Sequence, residues 1–424
     1  METAQARSAT PTVYIHVGEP KTGTTFLQQV LWTNKEELRD AVGLMMPGAR
    51  SMAHWRAAQD LRQVPQIPND PVGPHKGSWD RLIRQALRAP KSAVISHELL
   101  AAVNAEQAER AVRSLASAQV HVVLTVRDFA TLIPAEWQET IKHRSTRSWE
   151  DWLADVIDHE AVAPDRREYL FWRMHDTVEI LRIWGALLPP EQVHVITVPP
   201  RGSAPGLLWQ RFAGVIGVDP AVVDTARARS NASLGLADVE LLRRLNAALP
   251  PELPDWFYMR NVKDVLAHGA LAGRAGRPRP LRLPPERTAW VREHAEHVIA
   301  EIRAAKYDIV GDLQELLPRS SAEPVATPAA VPAEKMLAAS VVAMTALLRE
   351  LGKTQGVYDR QSTQAGAGAA RRPVGPVGRV KARVVALSEH NTALFRVRRA
   401  YWHLANAGRH LRSTARPESS PSGD

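Results

Sequence analysis

Four short, nearly continuous apolar runs most limit what this chain can fold into. They lie at residues 12–18, 92–97, 120–126 and 192–198. Short apolar runs predict buried strands, and continuous rather than alternating runs are typical of parallel strands covered on both faces. Helical patterns separate them, for example at residues 26–38 and 169–188. The sequence therefore predicts a doubly wound α/β fold with a mostly parallel sheet, and a ligand site outside the carboxyl ends of the strands.

Composition predicts the domain organisation of the rest of the chain. We expect a flexible N-terminus at residues 1–10, a main domain at 11–318, a linker rich in Pro, Ala and Ser at 319–334, and a C-terminal extension at 335–424. The extension is predicted to be helical and basic, with disordered segments. The first residues contain no apolar segment of the kind found in secretory signals, and no apolar run reaches the length of a membrane-spanning helix.

The positive charge of the chain is concentrated near its C-terminus. Eleven Arg or Lys residues and one acid lie between residues 371 and 416, although the net charge of the whole chain is only +9. Residues 380–412 have the pattern of a basic amphipathic helix, which could bind an anionic membrane surface or pack against protein. No nucleic-acid recognition motif accompanies the charge, so no nucleic-acid partner is expected. We predict a cytoplasmic protein, with or without peripheral attachment to the inner face of the membrane.

Cysteine is absent from the sequence. This excludes disulfides, thiol catalysis and cysteine-ligated metals. His294 and His297 stand three residues apart on a predicted helix, but no third ligand accompanies them. We therefore expect no metal site.

The stretch HVGEPKTGTTFLQ, residues 16–28, resembles a phosphate-binding loop with its lysine moved. Gly18 and Gly23 have the spacing of G-x-x-x-x-G-K-[ST], but Thr24 replaces the lysine and Lys21 lies inside the loop. A strand, a turn with glycine and a helix start together form an anion site, because free N–H groups and the helix dipole point into the turn.

The moved lysine favours a donor with less charge than a nucleoside triphosphate. In triphosphatases the lysine after the second glycine spans the terminal phosphates, and a nearby acid holds Mg²⁺. The predicted strand at 120–126 is followed by Arg127, and no convincing acidic strand end is present, although Asp128 comes next. A sulfuryl group carries one negative charge where a terminal phosphoryl group carries about two, so backbone amides and one lysine could suffice.

The residues EPKTGTTFLQ resemble the 5′-phosphosulfate loop of sulfotransferases that use 3′-phosphoadenosine-5′-phosphosulfate, with the pattern P-K-[ST]-G-T-[ST]-[WF]-L. All eight positions match. The resemblance implies a fold like that of the P-loop proteins, this co-substrate without a metal, and similarity to bacterial carbohydrate- or lipid-type enzymes. It implies a catalytic role for Lys21 on the leaving-group oxygen. It also implies donor contacts from Pro20, Lys21, Thr22, Gly23, Thr24 and Thr25.

A second part of the resemblance concerns the 3′-phosphate of the donor. The family has an arginine at the end of a later strand and a serine eight positions on, and both bind this phosphate. Arg127 matches the arginine, but Ala135 stands where the serine is expected. Thr131, one helical turn earlier, could compensate. Arg229 and Ser230 lie in a segment that resembles a loop closing over the co-substrate, and they could approach the same phosphate.

Two residues are candidates for the catalytic base. His97 and Glu98 follow the predicted strand at 92–97, beside the expected donor loop. Histidine has the better intrinsic pKa, whereas Glu98 fits the carbohydrate-type enzymes that the resemblance suggests. We favour Glu98 slightly. If strand alternation continues, the two side chains point to opposite faces and only one reaches the donor.

The basic residues Lys142 and Arg144 follow on the helix after Arg127. They could face the donor or an acidic acceptor, but we expect a solvated helical face.

The sequence as a whole predicts transfer of a sulfuryl group to a hydroxyl acceptor, a glycan or glycolipid, by in-line displacement without a metal. Two alternatives stay open at this point. One is a P-loop kinase with an aberrant loop, and the other is a non-catalytic nucleotide-binding protein with a sulfotransferase-like fold.

Overall fold

A six-stranded parallel sheet lies at the centre of the protein in the computed structural model, which describes residues 10–65, 75–158, 171–228, 234–272, 274, 281–319 and 328–354. Its strands are β1 (Thr12–Gly18), β2 (Leu44–Met45), β3 (Ser92–Ser96), β4 (Gln119–Val126), β5 (Val193–Thr197) and β6 (Asp308–Val310). They lie in the order β2-β3-β1-β4-β5-β6, and every neighbouring pair is parallel.

Helices connect the strands and continue beyond the sheet. The α-helices are α1 (Thr24–Thr33), α2 (Lys35–Val42), α3 (Met52–Leu61), α4 (Ser78–Ala86), α5 (Ala105–Arg113), α6 (Phe129–Lys142), α7 (Trp149–Ile157), α8 (Trp172–His175), α9 (Thr177–Gly185), α10 (Leu207–Val215), α11 (Leu236–Ala248), α12 (Asp255–Tyr258), α13 (Thr288–Ala304) and α14 (Ala333–Thr354). A π-helix spans Met259–Leu271 and a 3₁₀ helix spans Glu98–Ala102. Shorter 3₁₀ turns lie at Pro190–Gln192, Pro220–Val222, Thr225–Arg227, Pro285–Arg287, Leu313–Leu316 and Pro328–Ala330.

Both faces of the sheet are covered by helices. Alternate residues of β1, such as Val13 and Ile15, are fully buried in a core that also contains residues of α3, α5, α9 and α13. Residues of the opposite face pack on α1, α2 and α10, where the rings of His16 and Phe212 lie 5.2 Å apart. The predicted doubly wound α/β fold with a parallel sheet is confirmed.

The position of β1 inside the sheet creates the binding crevice. The chain builds the sheet outward in two directions, with β3 and β2 on one side of β1 and β4, β5 and β6 on the other. The segments that leave the carboxyl ends of β1 and β4 therefore separate to opposite sides, and such a switch point is where α/β sheets bind ligands. The stretch Glu19–Gly23 and Arg127 follow these two ends.

A second, purely helical core lies beyond the sheet. It is formed by α6, α7, α11, the π-helix and α14, and includes Trp137, Trp149 and Ala339 at 1% exposure or less. The chain divides into two compact units, residues 1–350 and 351–424. The domain boundaries that we predicted at residues 318 and 334 stay a prediction. Ala339 and Ala343 of α14 pack in the helical core of the first unit.

The strands predicted from sequence agree with the observed strands to within one residue at each end. The edge strands β2 and β6 were not predicted, since at two and three residues they are too short to give a periodic signal. The predicted helix at 26–38 is interrupted at Asn34, which ends α1 and begins α2.

The basic segment at 380–412 lies outside the described residues, so its predicted binding to a membrane surface, or packing on protein, stays a prediction. In the described ranges, no helix is long and apolar enough to cross a membrane.

Candidate functional site

The loop between β1 and α1 has a backbone shape that its sequence explains in part. Gly23 lies at φ 88°, in the left-handed region that glycine adopts without strain. A Cβ atom at this position would lie 2.4 Å from Cδ2 of Leu208, so any other residue here would also displace that side chain. Lys21 has a positive φ of 62°, a conformation uncommon for a residue with a side chain. Arg127 stabilises this backbone conformation, because its Nη1 donates a hydrogen bond to the Lys21 carbonyl oxygen at 3.1 Å.

The end of β4 holds this loop in place. The N–H of Glu19 donates to the Thr125 carbonyl oxygen at 3.1 Å, and the Thr125 hydroxyl donates to the Gly18 carbonyl oxygen at 2.9 Å. The hydroxyl of Thr22 donates to the carbonyl oxygen of Glu19. Thr22 is fully buried and is not among the residues that line the cavity, so its side chain fixes the loop. Its predicted contact with the donor stays a prediction.

The amino end of α1 opens into a cavity. Its cap residue is Gly23, and within the described part of the chain no side chain caps its free N–H groups. Thr24, Thr25 and Phe26 of this first turn line the cavity, as do Pro20 and Lys21 of the loop. Free N–H groups, hydroxyls and a lysine form a donor set suited to anion oxygens.

Arg127 lines the cavity at the start of α6, as predicted from its place after β4. Burial lowers the pKa of its guanidinium, and Asp128 opposes this shift. Asp128 itself caps α6 by accepting from the N–H of Thr131 at 2.8 Å. Thr131 is not among the residues that line the cavity, whereas Ala135 is. Compensation for the missing serine by Thr131 is therefore not supported by its position.

Arg229 and Ser230 lie outside the described residues, so their predicted approach to the donor stays a prediction.

His97 and Glu98 both line the cavity. That only one of them reaches the donor was expected on the condition that strand alternation continues, and this condition is not met. The strand ends at Ser96 and a 3₁₀ helix begins at Glu98, so strand alternation does not continue through this pair. His97 Nδ1 accepts from the N–H of Leu99 at 3.2 Å, which places the proton of the neutral ring on Nε2. Burial lowers the pKa of His97, Glu98 acts in the opposite direction, and Arg62 lowers it further.

Glu98 is held at the edge of the Glu19–Gly23 loop by a residue that the sequence did not single out. Nε2 of Gln28, on α1, donates to Oε2 of Glu98 at 3.2 Å and to Oγ of Ser96 at the same distance. The Glu98 side chain is 33% exposed, so its carboxylate is accessible from the cavity. Gln28 is the last residue of the quoted loop stretch, but its partner lies seventy positions away, and spacing alone gives no signal for the contact.

Lys21 extends from the loop to Glu139 on α6, with Nζ to Oε2 at 3.0 Å. Lys142 and Lys263 contact the same carboxylate, at 3.0 and 3.2 Å, and His143 Nε2 lies 3.4 Å from it. Burial works against ionisation of Glu139, but His143 and the three lysines outweigh it and hold the pKa of that carboxyl far below its usual range.

The predicted solvated face of Lys142 and Arg144 is wrong. The Lys142 side chain is only 9% exposed and lines the cavity. Arg144 lies just past the end of α6, and its guanidinium donates to the carbonyl oxygens of Leu253 at 2.8 Å and Pro250 at 2.7 Å. Sequence patterns provide no signal for these contacts, because Leu253, Pro250 and Lys263 lie more than 100 positions from α6.

These groups share one cavity of about 1340 Å³. The Glu19–Gly23 loop, α1 and the His97–Glu98 pair form one part of its wall. The far end of α6 and the π-helix form another, with Lys142, Met259 and Lys263. Trp152 contributes to the cavity wall, as does Trp55 of α3, whereas Trp149 and Trp184 are core residues.

A buried histidine ties the loop to α6. His175 has no exposed surface, and its Nδ1 lies 3.7 Å from Oε2 of Glu19 while its Nε2 lies 3.6 Å from Oε2 of Glu136. Thr177 donates to the other Glu19 oxygen at 2.5 Å. Burial opposes the charged form of His175, but the two carboxylates outweigh it and raise its pKa to about 9. The loop residue before Pro20 is thus anchored by an ionic contact.

In the described ranges, no group of three or more His, Asp or Glu side chains is arranged to hold a metal ion. The chain matches no protein-family model. No curated protein matches it either. Among solved structures it is similar to the sulfotransferase from Alicyclobacillus acidocaldarius, at 16% identity and a TM-score of 0.34, over 59% of this chain and 94% of that one.

The Glu19–His175–Glu136 contact predicts a pH dependence of stability. A raised pKa means that the folded state holds the His175 proton more tightly than the unfolded state does. The stabilisation is therefore complete below the ordinary pKa of 6.5 and is lost as the pH rises through about 9. We expect the melting temperature of the protein to fall between pH 7 and pH 9, and to fall less in His175→Gln.

The matched control is His297→Gln, which changes an exposed histidine on α13. Thermal unfolding followed by circular dichroism at half-unit pH steps measures the difference. Equal slopes for His175→Gln and the control would contradict a charged His175 in the folded state.

Proposed function

We propose that this protein transfers a sulfuryl group from 3′-phosphoadenosine-5′-phosphosulfate to a hydroxyl group of a glycan or glycolipid. The observation that supports it most is the convergence of three features on one cavity. Lys21 with the amino end of α1, Arg127 at the end of β4, and Glu98 at the end of β3 all line it. Together they supply groups for an activated sulfate, for a second phosphate and for an acceptor proton.

The loop provides the contacts for the reacting end of the donor. N–H groups at the amino end of α1 and the hydroxyls of Thr24 and Thr25 bind the sulfuryl and phosphate oxygens. The ammonium of Lys21 stabilises the negative charge that grows on the departing phosphate oxygen. Preorganised donors of this kind act on charge as it develops, and they need no reorganisation during the reaction.

Arg127 provides the charge for the 3′-phosphate. Ala135 lines the cavity at the position of the expected serine but offers only a methyl group. Binding of this phosphate then depends on the guanidinium of Arg127, whose planar N–H groups match phosphate oxygens. Arg229 and Ser230 are proposed to add to it.

The chemical step is an in-line displacement at sulfur. The acceptor oxygen forms a bond to sulfur while the bond from sulfur to the 5′-phosphate oxygen breaks, and adenosine 3′,5′-bisphosphate leaves. We assign the acceptor proton to Glu98, because the Nδ1 of His97 is already engaged with the Leu99 N–H and its Nε2 carries the proton. Gln28 orients the Glu98 carboxylate beside the loop.

The first test is binding of the product. Adenosine 3′,5′-bisphosphate should bind the full chain in isothermal titration with EDTA present, and Arg127→Met should weaken it at least tenfold. Arg84→Met, at an exposed position on α4, is the control and should bind as the unchanged protein does. Binding of MgATP in preference to the bisphosphate would instead identify a kinase-like protein.

Lys21→Ala should reduce turnover about 10²- to 10³-fold while changing the dissociation constant of the bisphosphate only a few-fold. The reason is that Lys21 acts on charge present mainly in the transition state. Transfer from radiolabelled donor to a panel of glycans, glycolipids and phenols measures turnover, with Lys91→Ala at an exposed site as control. Unchanged turnover in Lys21→Ala would refute the assignment.

Glu98→Gln should lower kcat about 10²- to 10⁴-fold, the usual contribution of a general base. His97→Gln should have a smaller effect, since its ring supports the Leu99 N–H and does not take the proton. Both variants are compared at saturating donor and acceptor. A larger loss in His97→Gln than in Glu98→Gln would move the base to His97.

A further inference from the structure

Three lysines meet at one carboxylate in the wall of the cavity. Nζ of Lys21, Lys142 and Lys263 each lie 3.0 to 3.2 Å from an oxygen of Glu139. We call Lys21, Lys142 and Lys263 the lysine cluster. They come from the donor loop, from the last residue of α6 and from the π-helix, so three separate elements bring positive charge to one place.

The lysine cluster carries more charge than its surroundings neutralise. Within the described part of the chain, Glu139 is the only carboxylate in ion-pair contact with Lys142 or Lys263. The nearby carboxylate of Glu136 lies 3.6 Å from His175 and also interacts electrostatically with Lys21. In the described residues, Lys142 and Lys263 thus share a single contacting carboxylate, that of Glu139.

Two other cationic side chains of the cavity wall have carboxylate partners of their own. Arg144 lies 3.5 Å from an oxygen of Asp255, and Arg147 pairs with Asp155. The positive charge of Lys142 and Lys263 differs from that of the two arginines because these lysines are more deeply buried. Their side chains are only 9% and 13% exposed. Charge that is buried without an equal counter-charge is costly. An anion entering the cavity would remove that cost.

Two members of the cluster, Lys142 and Lys263, lie away from Arg127, the group assigned to the 3′-phosphate. Arg127 precedes the first residue of α6, whereas Lys142 is its last. With a rise of about 1.5 Å per residue, the two ends of this fourteen-residue helix lie about 20 Å apart. The 3′-phosphate at one end cannot also occupy the other. Lys21, which reaches Glu139, marks the boundary between the two regions.

We propose that Lys142 and Lys263 bind an anionic group of the acceptor, beside Lys21, which faces the leaving group of the donor. The acceptor is then an acidic glycan, with a carboxylate or sulfate group near the hydroxyl that receives the sulfuryl group. Lysine ammonium groups act as point charges on flexible stems, so the cluster suits either anion. The inference rests on the proposed function and specifies its acceptor class.

The test uses the full chain saturated with adenosine 3′,5′-bisphosphate and three oligosaccharide probes of equal length. The first alternates uronic acid with N-acetylhexosamine, the second is its carboxyl-reduced neutral form, and the third is that neutral form carrying sulfate groups. Isothermal titration should give at least tenfold tighter binding of an acidic probe than of the neutral one. Which acidic probe binds tighter distinguishes carboxylate from sulfate recognition.

Lys142→Met with Lys263→Met should reduce the preference for acidic probes to within about twofold, while the bisphosphate dissociation constant stays unchanged. Lys91→Ala with Lys335→Ala removes the same charge from two exposed sites and should keep the preference. Equal binding of acidic and neutral probes by the unchanged protein, or a preference that survives in the methionine variant, would overturn the inference.

Two further outcomes distinguish failure of this inference from failure of the proposed function. Loss of bisphosphate binding in the methionine variant, with its melting temperature preserved, would place the lysine cluster in the donor site and overturn the inference. Failure of the unchanged protein to bind the bisphosphate would count against the proposed function itself, and the preference for acidic probes is then measured on the protein without nucleotide.

Discussion

The pairing of β1 with β4 is the contact on which the site depends. It sets the Glu19–Gly23 loop beside Arg127, and the Thr125 backbone and hydroxyl fix the first residues of that loop. Because β3 pairs with the other side of β1, His97 and Glu98 reach the same edge of the sheet. Three elements far apart in sequence thus meet at one crevice, where the order of strand connection reverses.

Three carboxylates lie along helix α6 beside the site. Asp128 caps its amino end, and Glu136 pairs with buried His175. Near the carboxyl end, Glu139 forms ion pairs with all three residues of the lysine cluster. Carboxylates on one helix therefore orient cations from the loop, from α8 and from the π-helix. A buried carboxylate is stable only when charged partners compensate its desolvation, and here each of these two glutamates has such partners.

The sequence was informative where the signal is local. The loop motif and four strands depend on consecutive residues, and the structure has the strands where they were predicted. Glu139, Gln28 and Lys263 were missed, because each acts through a partner 70 or more positions away. The burial of Lys142 was misjudged for a related reason, since the π-helix that covers this end of α6 has no recognisable pattern in sequence. The edge strands β2 and β6 were not predicted, because two or three residues are too few to give a sequence signal.

Arg127 connects the two parts of the proposed donor site in a way that the motif alone does not show. It faces the cavity, and it also donates to the carbonyl oxygen of Lys21, whose backbone has a positive φ. A positive φ in a lysine is stable only when surrounding contacts hold it. In the proposed donor site, a change at Arg127 would therefore affect both the 3′-phosphate and the lysine assigned to the leaving group. The methyl group of Ala135 would make this dependence greater, since it offers no hydroxyl to share the phosphate.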